Sequence, residues 1–145
     1  MHMSGIKKAI QASTFLFFAC MIPLTSAYAS ALSNALKDWD PAVIQGSIME
    51  KGSDYLIVME KKIVLLDSSI SGKRITTRIM DERGRKLDRD DLKKGTIVIA
   101  KGCLAFDDKT QTDVLLATDI YCIPHVLKPD DVKGNKEFMK PAEPW

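Results

Sequence analysis

From residue 42 onward the apolar residues come in short, β-branched runs, and none continues at the spacing of a long amphipathic helix. AVIQGSIME (42–50) reads as a strand with Gly46 inside it, where a bulge or bend is expected. YLIVM (55–59) and IVLL (63–66) follow. Glu60, Lys61 and Lys62 between them form either a tight turn or an exposed break in one long strand. ITTRIM (75–80), TIVIAKGCLAF (96–106) and DVLLATDIYCI (113–123) complete the set, with Gly102 marking a second bend. The connecting stretches, such as KGSD (51–54) and DDKTQT (107–112), carry turn residues. Such a chain must bury its strands against one another.

One segment has helical punctuation. In LDRDDLKKG (87–95), Asp88 is suited to cap one short helix, with Asp91 at its third position. Leu87 and Leu92 take staple positions, Gly95 suits a left-handed stop, and Lys93 and Lys94 follow the acids as the helix dipole prefers. The expected order is strand, strand, strand, short helix, strand, strand. That order describes an all-β fold: a small five-stranded OB-like barrel over residues 42–124, with one short helix between strands 3 and 4. Closure would remove the edges on which other chains could pair.

The stretches IQGSIMEKGSDYLIVMEKKIVLLD, TTRIMDERGRKLDRDDLKKGTIVIAKG and LLATDI resemble the small exported bacterial OB-like β-barrel domains of unknown function. The matching features are Gly46, a hairpin around Glu60 to Lys62, the acid-capped turn ending at Leu92 and Gly95, and the Val98–Gly102 spacing. The resemblance covers roughly residues 42–123. It implies a barrel and supplies no catalytic residue, and the two cysteines lie outside its pattern.

Residues 1–29 read as a secretory signal peptide. Lys7 and Lys8 form its positive region, Ala9 to Leu24 its apolar run, and Ala27-Tyr28-Ala29 its small-x-small cleavage pattern. The run is short for a bilayer span of about 20 residues. The same residues admit an uncleaved membrane anchor, or lipidation at Cys20, although Phe17 and Phe18 fit a lipobox poorly. Cleavage removes two of the 21 basic residues and balances the remainder against the 19 acidic ones. The basic isoelectric point of the full chain is therefore no sign of a nucleic-acid partner. Residues 30–41 form a lead-in. Residues 125–145, with three prolines and no periodicity, read as a mostly extended or disordered tail. The expected location is periplasmic or secreted.

Few residues suggest chemistry. Cys103, Cys122 and His125 would lack a fourth zinc ligand. Asp107, Asp108 and Asp113 lack the alternation and central glycine of a calcium loop. No serine near His125 stands in a nucleophile context. No metal or other cofactor, and no enzymatic activity, is expected. Lys73 to Lys101 holds ten basic residues against five acidic ones. Its residues Lys73, Arg74, Arg78, Arg83, Arg85 and Lys86 are either a solvated face or a surface for an anionic partner. That partner would be an envelope glycan, an anionic lipid headgroup or another envelope protein. Nucleic acid is not expected, because no aromatic residue between Lys73 and Lys94 could stack a base.

Cys103 and Cys122 admit a disulfide, two buried thiols, or intermolecular or redox use. A plain hairpin sets Cys103 opposite about Leu116 and Cys122 opposite about Ile97. At about 3.3 Å per residue that separates them by about 20 Å, so a disulfide would need the strand to break at Gly102. The function expected is an exported, non-catalytic binding or accessory module of the bacterial envelope. The alternative is a structural component of an envelope assembly that docks through the tail, with Phe138 and Trp145 as anchors.

Overall fold

A computed structural model describes residues 28–128, 130, 138 and 140–145. Lys7 and Lys8, on which the expected signal peptide rests, and Cys20, on which the lipidation alternative rests, fall outside the described residues. In chain order the elements are α1 (Ala29–Lys37), β1 (Pro41–Lys51), β2 (Tyr55–Val58), β3 (Lys61–Leu65), β4 (Asp67–Ile70), β5 (Lys73–Thr76), β6 (Arg78–Asp81), β7 (Ile97–Asp107) and β8 (Thr112–Ile123). The sheet runs β3-β2-β1-β7-β8, and a parallel pairing of β3 with β8 closes it into a five-stranded barrel.

The long strand β8 has two neighbours in succession along one edge. β3 pairs with Leu115 to Ala117, and β6 pairs, also in parallel, with Asp119 to Cys122. Thr118 lies between them and is skipped in the antiparallel ladder, where Lys101 faces Asp119 and Gly102 faces Ala117. That extra residue switches the alternation. Leu115 and Ala117 face the barrel interior before it, and Ile120 and Cys122 after it. Gly102 is required here by close approach, since an added Cβ would collide with the Leu116 carbonyl. Thr77 closes the gap between β3 and β6. Its hydroxyl donates to Ala117 O at 2.6 Å and accepts from Leu66 N at 2.7 Å, while Thr77 N donates to Leu66 O at 3.0 Å.

The barrel interior is filled by Ile48, Leu56, Val58, Ile63, Leu65, Val98, Leu115 and Ile120 among others. Val64 and Leu66 point the other way, beneath Leu32 and Ala35 of α1, which explains why IVLL is apolar at every position. A third group, Ile99, Ile123 and Phe138, lies on the outer face of β7 and β8. Between β2 and β3 the choice falls to a tight turn: Met59 (φ 51°) and Glu60 (φ 61°) are both left-handed, the geometry of a primed hairpin turn.

The helix expected between the third and fourth barrel strands is not there. That connection carries the β4–β5 hairpin, β6 and a single 3-10 turn, Arg89–Asp91, while α1 precedes the strands. The Asp91 carboxylate does reach back to Asp88 N at 2.8 Å, as in a capping box. The turn is not prolonged because Leu92 is drawn fully into the barrel core, and Gly95 N then donates to Ile48 O at 2.8 Å. Committing the chain to β1 so early leaves no length over which a helix could repay its nucleation. The ITTRIM run is correspondingly split into β5 and β6, outside the ring.

The disulfide is also corrected: both cysteines are free. Cys103 faces Leu116, as a plain hairpin predicts, and Cys122 faces Val98, one residue from the expected Ile97 because of Thr118. The offset from Val98 to Cys103 is about 16 Å along the strand. The side chains also part company, Cys103 lying beneath α1 and Cys122 against the barrel interior. Burial raises both thiols above their ordinary pKa, so neither is a reactive thiolate at neutral pH.

Replacing Gly102→Ala should lower unfolding free energy by about 3 kcal/mol, read by urea denaturation, because backbone rather than a side-chain tip must move. Thr77→Val should cost about 2 kcal/mol in the same assay by stranding Leu66 N and Ala117 O. Both thiols should alkylate in denaturant without reduction, whereas Cys103, at 0% exposure, should resist the reagent in the native protein.

Candidate functional site: an arginine ridge between two grooves

Period-two alternation carries through β5 and into β6. Ile75, Thr77 and Ile79 turn inward to the two cores and the Thr77 junction, which leaves Arg74, Thr76 and Arg78 on the opposite face. Those three residues form a ridge that borders two cavities at once. The first, about 660 Å³, has an apolar floor that includes Leu66, Ile79, Met80 and Leu87, with Lys86, Arg89, Asp67 and Asp88 at its rim. The second, about 510 Å³, is bounded by Lys101, Thr118, Asp119 and Tyr121 and by the tail residues Lys140 to Trp145.

The ridge arginines differ in their attachments. Arg74 Nη2 lies 3.2 Å from Asp67 Oδ1, and both side chains are largely exposed, so the pair contributes little. Arg78 Nη2 lies 2.7 Å from Oδ1 of Asp119, whose side chain is 7% exposed while that of Arg78 is 70% exposed. The approach is off the hydrogen-bonding direction, so this is a charge pair, and Oδ1 has no aligned donor among the described residues. Oδ2 is 2.8 Å from the Thr118 hydroxyl, which also lies 3.2 Å from Lys101 O. Lys101, the cross-strand partner of Asp119, is itself buried, with Nζ 5.9 Å from the centre of the Tyr121 ring.

At the far side of the larger groove, Arg89 is held by carbonyls: Nη1 to Ser53 O at 3.3 Å and Nη2 to Leu66 O at 3.4 Å. Its charge is thereby positioned without being neutralised. Lys86 has no carboxylate within ion-pair range among the described residues. The turn that carries Lys86 is organised by Asp81. Its Oδ1 accepts from Arg83 N at 2.8 Å and Arg85 N at 2.9 Å, and its Oδ2 from Arg85 Nε at 2.7 Å. The Arg85 amide, its guanidinium and the Arg83 amide together hold the Asp81 carboxyl below its ordinary pKa.

Of the six basic residues singled out in the sequence, Arg74, Arg78 and Lys86 converge on the larger groove. Lys73 donates to the main-chain oxygen of Trp145. Arg85 is occupied by Asp81, and the Arg83 side chain does not border either groove. Arg89, Lys101 and Lys140 are additions, and Trp145, expected as an anchor for a partner, lines the smaller groove instead. Arg89 was hidden inside the expected helix, and Trp145 inside a stretch read as extended or disordered. In the structure Trp145 Nε1 donates to Thr76 O at 3.2 Å, and Trp39 Nε1 donates to Ala142 O at 2.8 Å.

Among the described residues no three His, Cys, Asp or Glu side chains converge as a metal site, and no helix is long and apolar enough to cross a membrane. Compared with known protein families, curated proteins and solved structures, the chain matches none. Its function is therefore to be sought in the chemistry of the ridge and its grooves.

Arg78→Ala should lower stability by about 2 kcal/mol in urea unfolding. That figure is below the usual cost of breaking a buried pair because the arginine is largely exposed. Adding Asp119→Asn should recover part of the loss. Asp81, whose carboxyl has a lowered pKa when folded, contributes stability above the ordinary carboxylate range and loses it as pH falls through the folded value. Asp81→Asn should therefore flatten the acid limb of a stability–pH curve.

Proposed function

We propose that this chain is an exported, non-catalytic binding module of the bacterial cell envelope, built on an OB-like barrel, that holds an anionic ligand over the Arg74–Arg78 ridge. The carrying observation is the larger groove, where Arg74, Arg78, Lys86 and Arg89 line an apolar floor; Arg74 pairs with Asp67 and Arg78 with Asp119, while Lys86 and Arg89 form no ion pair among the described residues. A concave, partly apolar site with a few convergent charged groups is the common form of a ligand site. The OB-like reading is supported by the ring order β1-β2-β3-β8-β7 and its parallel closing pair, although β4 to β6 stand where a helix was expected.

Export and the envelope setting rest on residues 1–29. Cleavage after Ala29 would remove Tyr28, one of two rings beside Lys62 Nζ, and leave Tyr55, whose centre is 4.9 Å away. Leu32 and Ala35, the buried residues of α1, would remain. The alternative of an assembly component docking through its tail draws less support. Phe138 stacks edge-on against Tyr121 at 4.9 Å, and Trp145 against Trp39 at 5.7 Å, so both proposed anchors are engaged within the chain.

Two measurements test this reading. Protein recovered from the periplasm of a bacterial host should have the intact mass of a chain beginning at Ser30; a mass retaining residues 1–29 would refute cleavage. On a sulfate-bearing resin, retention should fall with salt. Arg74→Ala and Lys86→Ala should elute earlier than the charge-matched Arg83→Ala. Equal elution of the three would mean that net charge, and not the groove, holds the anion.

A further inference from the structure

We infer that the two grooves form one track for a linear acidic glycan, with charged sugars spaced along a path from Lys86 and Arg89, over the ridge, to Lys140. This rests on the anion-binding reading above and deepens it. Arg74, Thr76 and Arg78 line both cavities, so the cavities meet at the ridge. A compact anion would fill one of them; only an extended ligand uses both.

The chemistry of the smaller groove selects the class of chain. Cations and carboxylates share the lining of that groove: Lys101 and Lys140 with Asp119, the cross-strand partner of Lys101, and Glu143. Closely spaced phosphates, as in a nucleic acid or polyphosphate, would be repelled by Glu143, the exposed one of those acids. A uronate-containing glycan carries its charges farther apart, and the hydroxyls between them donate hydrogen bonds. The exposed Glu143 carboxylate in that lining is an acceptor suited to such a hydroxyl, whereas Asp119 Oδ1 is buried and held by Arg78. Tyr121 and Trp145 add aromatic surface at the same groove, and Thr76 adds a hydroxyl. A lipid headgroup would need a neighbouring exposed apolar face to meet the membrane, and the exposed large apolar residues among those described, Met49, Met59, Phe106 and Val126, line neither groove.

The full chain would be titrated by calorimetry with oligogalacturonates from disaccharide to octasaccharide. Methyl-esterified oligomers, polyphosphate and oligo-dT of matched length serve as comparisons. Affinity should rise with length and then level off, and the esterified series should fail to bind. Lys86→Ala and Lys140→Ala, at opposite ends and both exposed, should each weaken the longest oligomer by about fivefold, the scale of one exposed charge contact. Their thermal melts should match the parent, which separates lost binding from lost folding. If Lys86→Ala weakens binding while Lys140→Ala and oligomer length have no effect, the track is wrong and the single anion site survives. Polyphosphate or oligo-dT binding as tightly as the galacturonates would overturn the glycan assignment. Failure of every anion to bind would remove the anion-binding reading itself.

Discussion

The Thr77 hydroxyl holds together the edge on which the barrel closes. β8 needs a neighbour along its whole length, and no single strand supplies one. β3 covers Leu115 to Ala117, β6 covers Asp119 to Cys122, and the chain between them makes a detour through the β4–β5 hairpin. At the join, the two hydrogen bonds of Thr77 Oγ1 replace rungs that a continuous strand would have formed with its backbone. The bulge at Thr118 lies opposite the same join. Bend, bulge and seam are one local solution to closing a barrel with a long strand.

The ridge follows from that seam. Because β6 must start beside Asp119 to complete the edge, Arg78 is delivered over a carboxylate that would otherwise be buried without a counter-charge. Because Ile75, Thr77 and Ile79 are consumed by packing, the residues between them have the other face. Structural demand on one side of a short segment thus fixes where three polar side chains stand on the other. A site set on strand backbone in this way is held more firmly than one set on a loop.

Much of the architecture was legible in the sequence. The five apolar runs around the ring, the irregularity at Gly102, read as a bend, and the pairing of Cys103 with Leu116 all follow from period-two patterning and turn residues. Cys122 was misplaced by one residue because a bulge without a glycine leaves no compositional mark: Thr118 looks like any strand threonine. The acid-capped segment 88–95 carried real capping chemistry, yet burial of Leu92 and the early bond to β1 limited it to one turn. Tertiary demand overrode local propensity there. Of the six residues singled out in the basic stretch, Arg74, Arg78 and Lys86 line the larger groove. Separating the half that converges needed the path of the 81–89 turn, and Trp145 needed a tail whose docking depends on Trp39, far away in the chain.

The two tryptophans of the chain are 5.7 Å apart, edge to face, where the segment after α1 meets the end of the tail. Neither belongs to the barrel interior. Indole emission and near-ultraviolet dichroism are therefore spectroscopic reporters of this clasp between the two ends of the described chain. They are close to blind to the barrel itself. A transition followed by tryptophan light records the ends parting, and one followed by amide absorption records the strands separating. Any interval between the two curves measures how independently the barrel stands once its termini are released.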